Sequence, residues 1–204
     1  MKQHRVFPEC NVDTNFVSQL LGGAVMHKST CNEVTKAVNT SDQFAVGIID
    51  ADKKQATLDS GFTEYVQGDK ADGNIKHVTM YVHKDGKRFI FTIKPAMEKF
   101  ILDAAKERKV DMAAAGYENS LDGFKKETKR ITAANDPKLR KLFNLIQDNP
   151  ELSRFRNTLK YLMTALYKTD VEVAKQYFDG TLTEEDLETF FESNQSCYEE
   201  ITTT

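Results

Sequence analysis

Carboxylates follow an apolar run in the stretch FAVGIIDADK, residues 44–53. The run before Asp50 is apolar or glycine, which predicts a short buried strand, and Asp52 follows after one alanine. A second short strand candidate, RVFPEC, ends in acid at Glu9. Ligands of an open parallel sheet gather beyond the carboxyl ends of its strands, so Glu9 and Asp50 meet if these two strands are neighbours.

Two carboxylates this close repel each other unless a cation or a proton neutralises them. Carboxylate oxygens at an open site suit Mg²⁺ or Mn²⁺, which keep several waters that a substrate phosphate can replace. Asp50, Asp52 and Glu9 are therefore predicted to hold a hard cation. Lys53 and Lys54 would neutralise phosphate charge beside it, or equally are solvated loop lysines. The aspartates have a second explanation as turn caps, because Asp favours strand exits.

The elements that must position these acids alternate in the first half of the chain. Two strand-helix-strand steps predict parallel neighbours, because parallel strands need a crossover. The segment 51–74 is polar and punctuated by Gly and Asp, which is typical of loop. Around Asp85-Gly86, two β-rich runs predict a hairpin, where His77 and His83 would contact solvent or a partner. The expected strands and helices of this half are RVFPEC, AVMHKS at 24–29, FAVGIID, the hairpin at 77–94, and helices after Asn11 and at 31–38.

From Pro95 onward the pattern turns helical. The chain is thus predicted to divide into an α/β domain at 1–110 and a helical extension at 111–204 packed on it. The expected helices lie at 95–108, 121–134, 136–148, 151–168, 170–178 and 183–193.

The spacing of the acids is similar to that of a known family. A strand ending in Glu with Asp four residues later, ECNVD at 9–13, precedes by about 40 residues a hydrophobic strand ending in D-x-D. This pattern resembles the Toprim domain of topoisomerases, bacterial primases, small RNA-maturation nucleases and overcoming-lysogenization-defect nucleases. It is most similar to the E-G-x-x-D form of the last group and its single-domain relatives. Their helix after the third strand carries another acid, and Glu98 has a similar setting; the resemblance covers roughly residues 5–103.

The resemblance implies a Toprim-like, mainly parallel sheet flanked by helices, and a Mg²⁺-dependent nuclease that cleaves phosphodiester bonds in RNA or DNA. Asp50 and Asp52 would bind Mg²⁺ or Mn²⁺, and Glu9 would complete the metal shell or act as general acid or base. Asp13 and Glu98 would orient that shell or hold a second metal.

The same resemblance implies a role in phage defence together with an ATPase. The chain has no P-loop motif, so the ATPase would be a separate partner. The alternative is a non-catalytic, Toprim-like protein-interaction module whose acids cap turns or hold a structural ion.

Charge is unevenly distributed along the chain. Residues 121–168 hold 11 basic and 5 acidic side chains, whereas residues 169–204 hold 1 and 10. The basic run KKETKR, 125–130, would contact phosphates, or is simply a solvated helix face. The acidic tail would suit a basic protein partner.

No apolar run approaches the ~20 residues of a membrane span, and the N-terminus lacks the apolar stretch of a secretion signal. A cytoplasmic location without membrane contact is therefore expected. The three cysteines are widely spaced without a CxxC pair, which argues against disulfides and a structural zinc site.

Overall fold

The computed structural model describes residues 5–21, 25–51, 57–65, 76–132 and 135–193. These residues form a five-stranded sheet and eight α-helices. The strands are β1 (Val6–Pro8), β2 (Ala45–Asp50), β3 (Phe62–Tyr65), β4 (Val78–His83) and β5 (Arg88–Ile93). The helices are α1 (Asn11–Leu21), α2 (Cys31–Asn39), α3 (Met97–Glu107), α4 (Leu121–Thr128), α5 (Pro137–Ile146), α6 (Pro150–Ala165), α7 (Val171–Asp179) and α8 (Glu184–Ser193).

The strand order across the sheet is β1-β2-β5-β4-β3. Strands β1, β2 and β5 run parallel, whereas β4 pairs antiparallel with both β5 and β3. The predicted α/β class is confirmed, but a mainly parallel sheet is not, because the hairpin adds antiparallel strands to one side. The hairpin turn lies at Asp85-Gly86 as expected, with Gly86 at a φ of +68° that glycine adopts without strain.

Strand β3 lies within the segment predicted as loop. It has only four residues and its middle two are exposed, so it lacks the apolar run that marks a buried strand. The predicted strand at 24–29 is not a regular strand in its described part. Instead, the segment runs alongside β1. The amides of Met26 and Lys28 donate to the carbonyls of Val6 and Pro8, both at 2.9 Å.

Helices cover both faces of the sheet. Helix α2 packs on one face through a small cluster that includes Val34, Val38 and Ile90. The other face carries the main core, which continues without interruption into the helices after residue 111. Phe91 of β5 packs against Phe155 of α6 with ring centroids 5.2 Å apart and the ring planes tilted by 60°. The helical part therefore shares a hydrophobic core with the strands that carry the candidate site.

Gly47 lies where α2 approaches β2 most closely. A Cβ here would lie 2.9 Å from Val34 Cγ1 and 3.0 Å from Val38 Cγ2, and both valines are fully buried. We expect Gly47→Ala to lower the free energy of unfolding by about 1–3 kcal/mol, because overpacking forces neighbouring atoms to shift. The same change should cost less in a Val38→Ala background, where methyl groups have been removed. Equal costs in both backgrounds, measured by urea denaturation, would contradict this close contact.

A buried ion cluster ties the hairpin to α6. Glu151, in the first turn of α6, accepts hydrogen bonds through Oε1 from the amides of Lys76, His77 and Val78 at 2.9, 2.6 and 3.0 Å. Its Oε2 lies 2.9 Å from His77 Nδ1, and His77 Nε2 lies 2.9 Å from Asp103 Oδ2. Burial alone lowers the pKa of His77, but Glu151 and then Asp103 outweigh it, so that the pKa is raised.

Both hairpin histidines are buried, so the expected solvent or partner contact is wrong for each. His77 is held by the ion cluster above. His83 lies against Gly61 and the ring of Phe62. Its Nδ1 is 2.8 Å from Arg88 Nη2. Their polar atoms find partners inside the protein, which sequence spacing alone did not reveal.

Across the described parts of the chain, no helix has the length and apolar character needed to cross a membrane.

Candidate metal site at the acidic edge

Glu9 and Asp50 lie side by side at the carboxyl ends of two neighbouring parallel strands. The amide of Glu9 donates to Ile48 O at 3.0 Å, which extends the β1–β2 ladder by one residue. The amide of Asp50 donates to Glu9 Oε2 at 3.1 Å. The two acids therefore meet, as the sequence predicted on the condition that their strands are neighbours.

Asp50 also holds the start of α3. Its Oδ1 accepts a hydrogen bond from the Met97 amide at 3.0 Å, and the N-cap residue Ala96 has no side chain able to do so. A carboxylate at a helix N-terminus is favoured by the exposed amides and by the helix dipole. This contact places Glu98, in the first turn of α3, on the same edge of the sheet as Asp50.

Asp13 joins the group through the start of α1. Its Oδ2 accepts from the Cys10 amide at 3.2 Å, while its own amide donates to Cys10 Sγ at 3.4 Å. This reciprocal pair is a capping box in which cysteine takes the usual place of serine or threonine. The other carboxylate oxygen, Asp13 Oδ1, is buried and has no hydrogen-bond partner among the residues that the structure describes. A buried oxygen of this kind costs free energy unless something else satisfies it.

We refer to Glu9, Asp13, Asp50 and Glu98 as the acidic edge, and the charges of Asp50 and Glu98 act on Asp13. Burial, then the charge of Asp50, with a smaller contribution from Glu98, raises the pKa of Asp13 well above its ordinary value. Burial and the charges of Asp13, Asp50 and Glu98 likewise raise the pKa of the Cys10 thiol. Asp13 therefore favours its protonated form, and the thiol is no nucleophile at neutral pH.

A basic segment lies next to the acidic edge. The hydroxyl of buried Thr128, the last residue of α4, lies 3.2 Å from both Glu98 Oε1 and the Lys125 carbonyl, and its single proton is shared between these two acceptors. The exposed side chains of Lys126, Lys129 and Arg130 flank it in sequence. We refer to residues 125–130 as the basic turn. The fold thus brings the run KKETKR beside acids that are distant in sequence.

The chemistry of the acidic edge fits a hard cation, since its donors are carboxylate oxygens and one of them is buried and unsatisfied. Within the described ranges, however, no three His, Cys, Asp or Glu side chains are close enough to hold an ion as they stand. Asp52, Lys53 and Lys54, predicted to contribute here, lie outside the described residues. The structure places Glu9, Asp13, Asp50 and Glu98 together, and their roles as ligands stay predictions.

Sequence reasoning missed Cys10 and Thr128 as partners of the acids. The C-x-x-D spacing of the capping box was present, but cysteine is not among the usual N-cap residues. Thr128 lies 30 residues beyond Glu98, and local sequence patterns do not predict a contact between residues so far apart in the chain.

Comparison of the chain with protein-family models, curated proteins and solved structures finds no match. The resemblance to Toprim domains therefore rests on the residues and their spacing.

Proposed function

We propose that this protein is a divalent-cation-dependent nuclease of Toprim type, which cleaves phosphodiester bonds in RNA or DNA. The observation that carries the proposal is the convergence of the acidic edge at the carboxyl ends of parallel strands. Buried Asp13 keeps one oxygen unsatisfied there, next to the charges of Asp50 and Glu98. Carboxylates gathered in this way repel one another unless a proton or a cation neutralises them, and a bound divalent cation would neutralise them.

Mg²⁺ or Mn²⁺ would be held by Asp50, Asp13 and Glu9, together with Asp52 from the chain that follows β2. A bound hard cation supplies electrostatic stabilisation of phosphate oxygens and a more acidic water. Glu9 is suited to a further role as general acid or base, because its side chain lies beside Asp50 on the half-buried strand end. Glu98, which Thr128 positions, would orient the shell or support a second cation.

The basic turn would bind the substrate backbone. Lys126, Lys129 and Arg130 are exposed, and Thr128 between them contacts the acidic edge. Basic side chains neutralise phosphates and release counterions on binding. Lys53 and Lys54 are proposed as further phosphate contacts.

Glu9→Gln tests the catalytic proposal without removing the hydrogen bond from the Asp50 amide, because the glutamine carbonyl can still accept it. We expect wild-type protein to cleave labelled RNA or DNA in Mg²⁺ or Mn²⁺. The variant should lose about 10²–10⁴-fold in rate, the usual worth of a general acid or base. Glu192→Gln, an exposed change on α8, should cleave at the wild-type rate. Absence of cleavage by wild-type protein, with its partner present, would count against a nuclease.

Neutralising Lys129 and Arg130 together to glutamine should weaken nucleic-acid binding and flatten its salt dependence. Loss of two phosphate contacts reduces the slope of log K against log salt by about 1.4–1.8. Arg140 and Lys141 form a second exposed basic pair, on α5, and their replacement by glutamine provides the matched control. Fluorescence anisotropy across a salt series measures both slopes, and equal effects of the two pairs would remove the basic turn from the proposal.

We also propose a cytoplasmic role in phage defence alongside a separate ATPase. This part rests on the resemblance to lysogenization-defect nucleases.

The second candidate is a non-catalytic interaction module, and one observation favours it. Glu9, Asp50 and Asp13 each accept a hydrogen bond from a backbone amide, so each has a structural role without any cation. In that case Glu9→Gln would leave every cellular phenotype intact. Charge reversal within the acidic segment 169–204 would abolish them instead.

A further inference from the structure

An exposed histidine beside the acidic edge is held by a buried hydroxyl group. His27 lies in the segment that runs alongside β1, and its Nδ1 is 3.1 Å from Thr14 Oγ1. Thr14 is only 1% exposed, whereas His27 is exposed. Because the two nitrogens of an imidazole lie on different sides of the ring, Nε2 points away from this buried contact and towards solvent.

Two connections place His27 next to the acidic edge. Its hydrogen-bond partner in the first turn of α1 directly follows Asp13. The residue after it, Lys28, donates its amide to Pro8 O at 2.9 Å, and Pro8 immediately precedes Glu9. His27 is thus joined to two of the acids, through α1 and through β1.

The hydrogen bonds of Thr14 determine which ring nitrogen holds a proton that can be given away. Its hydroxyl has one proton, and Oγ1 lies 2.7 Å from Cys10 O, the shorter of its two contacts. The hydroxyl therefore donates to this carbonyl and accepts from His27 Nδ1–H. A protonated His27 keeps the Nδ1 proton in this bond and offers the proton on Nε2. A proton donor that is oriented by another side chain is the usual arrangement of a general acid.

The proposed nuclease needs a proton donor for the oxygen that leaves phosphorus. Carboxylates beside a divalent cation are held ionised, so Glu9 and Asp50 would accept a proton but have none to give. Of the histidines in the described ranges, His77 and His83 are buried, and His27 alone presents a ring nitrogen to solvent. An imidazole nitrogen is also a poor ligand for a hard cation, which favours proton transfer over metal binding.

We propose that His27 is the general acid of the nuclease, an inference that rests on the proposed function. Water attacks phosphorus and passes a proton to Glu9. The bond between phosphorus and the leaving oxygen breaks, and this oxygen takes the proton from His27 Nε2. Glu9 then releases its proton to solvent, and His27 regains one. Thr14 is a positioning residue that holds the ring through Nδ1.

Replacement of the leaving oxygen by sulfur tests the proton transfer. The cleavage products of labelled RNA or DNA identify the leaving oxygen, and an oligonucleotide with sulfur at that position is the matched substrate. A thiolate is a much weaker base than an alkoxide, so it leaves without a proton. In Mn²⁺, His27→Gln should lose about 10²–10⁴-fold in rate on the oxygen substrate but less than about tenfold on the sulfur substrate. Glutamine keeps a hydrogen-bond donor but transfers no proton.

The outcomes separate this inference from the proposed function. If the wild type and His27→Gln cleave the oxygen substrate equally fast, the protein is a nuclease but His27 is not its general acid. Equal losses on both substrates would also overturn the inference, because the side chain would then act by binding phosphate. Absence of cleavage by folded wild-type protein, with its partner present, would overturn both proposals.

Thr14→Val tests the positioning with a measurement that does not depend on activity. The change removes the hydroxyl, while Cys10 O keeps its hydrogen bond from the amide of residue 14 at 2.9 Å. Nitrogen-15 spectra at alkaline pH should show the ring proton of His27 on Nδ1 in the wild type, and a shift of this proton towards Nε2 in the variant. An unchanged tautomer in Thr14→Val would overturn the assignment.

Thr158→Val is the matched control for this variant. Its hydroxyl is buried and donates to the carbonyl four residues earlier, Arg154 O, at 2.8 Å. Cleavage of the oxygen substrate should fall about five- to tenfold in Thr14→Val, the worth of one hydrogen bond, and should stay at the wild-type rate in Thr158→Val. Equal rates in the two variants would remove Thr14 from the proposal.

Discussion

We expect Glu151→Ala to lower the free energy of unfolding by about 3–5 kcal/mol, the usual cost of removing one partner from a buried ion pair. The glutamate is 7% exposed and accepts three consecutive backbone amides, from residues 76 to 78. Its loss leaves these donors and His77 without their acceptor, and each unsatisfied buried group costs about 1–3 kcal/mol. Chemical denaturation monitored by circular dichroism measures the change.

Glu172 offers a matched control for this prediction. It occupies the first turn of α7 as Glu151 does that of α6, but its side chain is 74% exposed. Glu172→Ala should therefore stay within about 0.5 kcal/mol of the wild type. A loss of similar size in both variants would mean that Glu151 contributes through its charge at the helix N-terminus rather than through the hairpin.

The pH dependence of Glu151→Gln isolates the charge of the pair. The folded pKa of His77 is raised, so its contribution to stability is present below about pH 6.5, its ordinary pKa, and is lost as the pH rises through the folded value. The difference in free energy of unfolding between the wild type and Glu151→Gln should accordingly be larger at low pH than at high pH. A deficit that is constant with pH would indicate that His77 stays neutral.

Asp13→Asn is expected to stabilise the protein at neutral pH by at least about 1 kcal/mol, because each unit by which the folded pKa of a carboxyl exceeds its ordinary value costs about 1.4 kcal/mol at higher pH. The amide oxygen of asparagine can still accept from Cys10, and its NH₂ carries no charge beside Asp50 and Glu98. A substitution that improves stability at the acidic edge would indicate that the native carboxylate is retained for a purpose other than folding.

The sign of the pH effect follows from the raised pKa of Asp13. Between about pH 4, the ordinary Asp value, and the folded value, the folded state holds a proton that the unfolded state releases. Wild-type stability therefore falls with rising pH through this window, and the advantage of Asp13→Asn should grow across it. Asp122→Asn, an exposed aspartate in the first turn of α4, is the control. A destabilised Asp13→Asn at every pH would contradict the electrostatic account.

The elements around the candidate site could be predicted because their signals are local. The apolar run before Asp50, the Asp85-Gly86 turn and the amphipathic pattern from Pro95 each specify one element through nearby residues. The meeting of Glu9 and Asp50 required one further assumption, that their strands are neighbours, and β1 and β2 do pair.

The remaining features depend on contacts that no local pattern encodes. Strand β3 is held by β4 rather than by an apolar run of its own. The burial of His77 depends on Glu151, which lies 74 residues away. The basic turn lies near the acidic edge because Phe124 of α4 packs in the core and Thr128 contacts Glu98. In each case tertiary contacts determine the structure, in addition to or in place of the local preference of the sequence.

A calorimetric titration with Mn²⁺ tests the central claim most directly, because cation binding requires no knowledge of the substrate. Asp50→Asn is the informative variant, since its amide oxygen can still accept from the Met97 amide and hold α3. Glu192→Gln is the control, and circular dichroism verifies that all three proteins are folded. Binding by the wild type and by Glu192→Gln, with loss in Asp50→Asn, is the predicted result. Absence of binding in the folded wild type, or unchanged binding in Asp50→Asn, would contradict a metal site at the acidic edge.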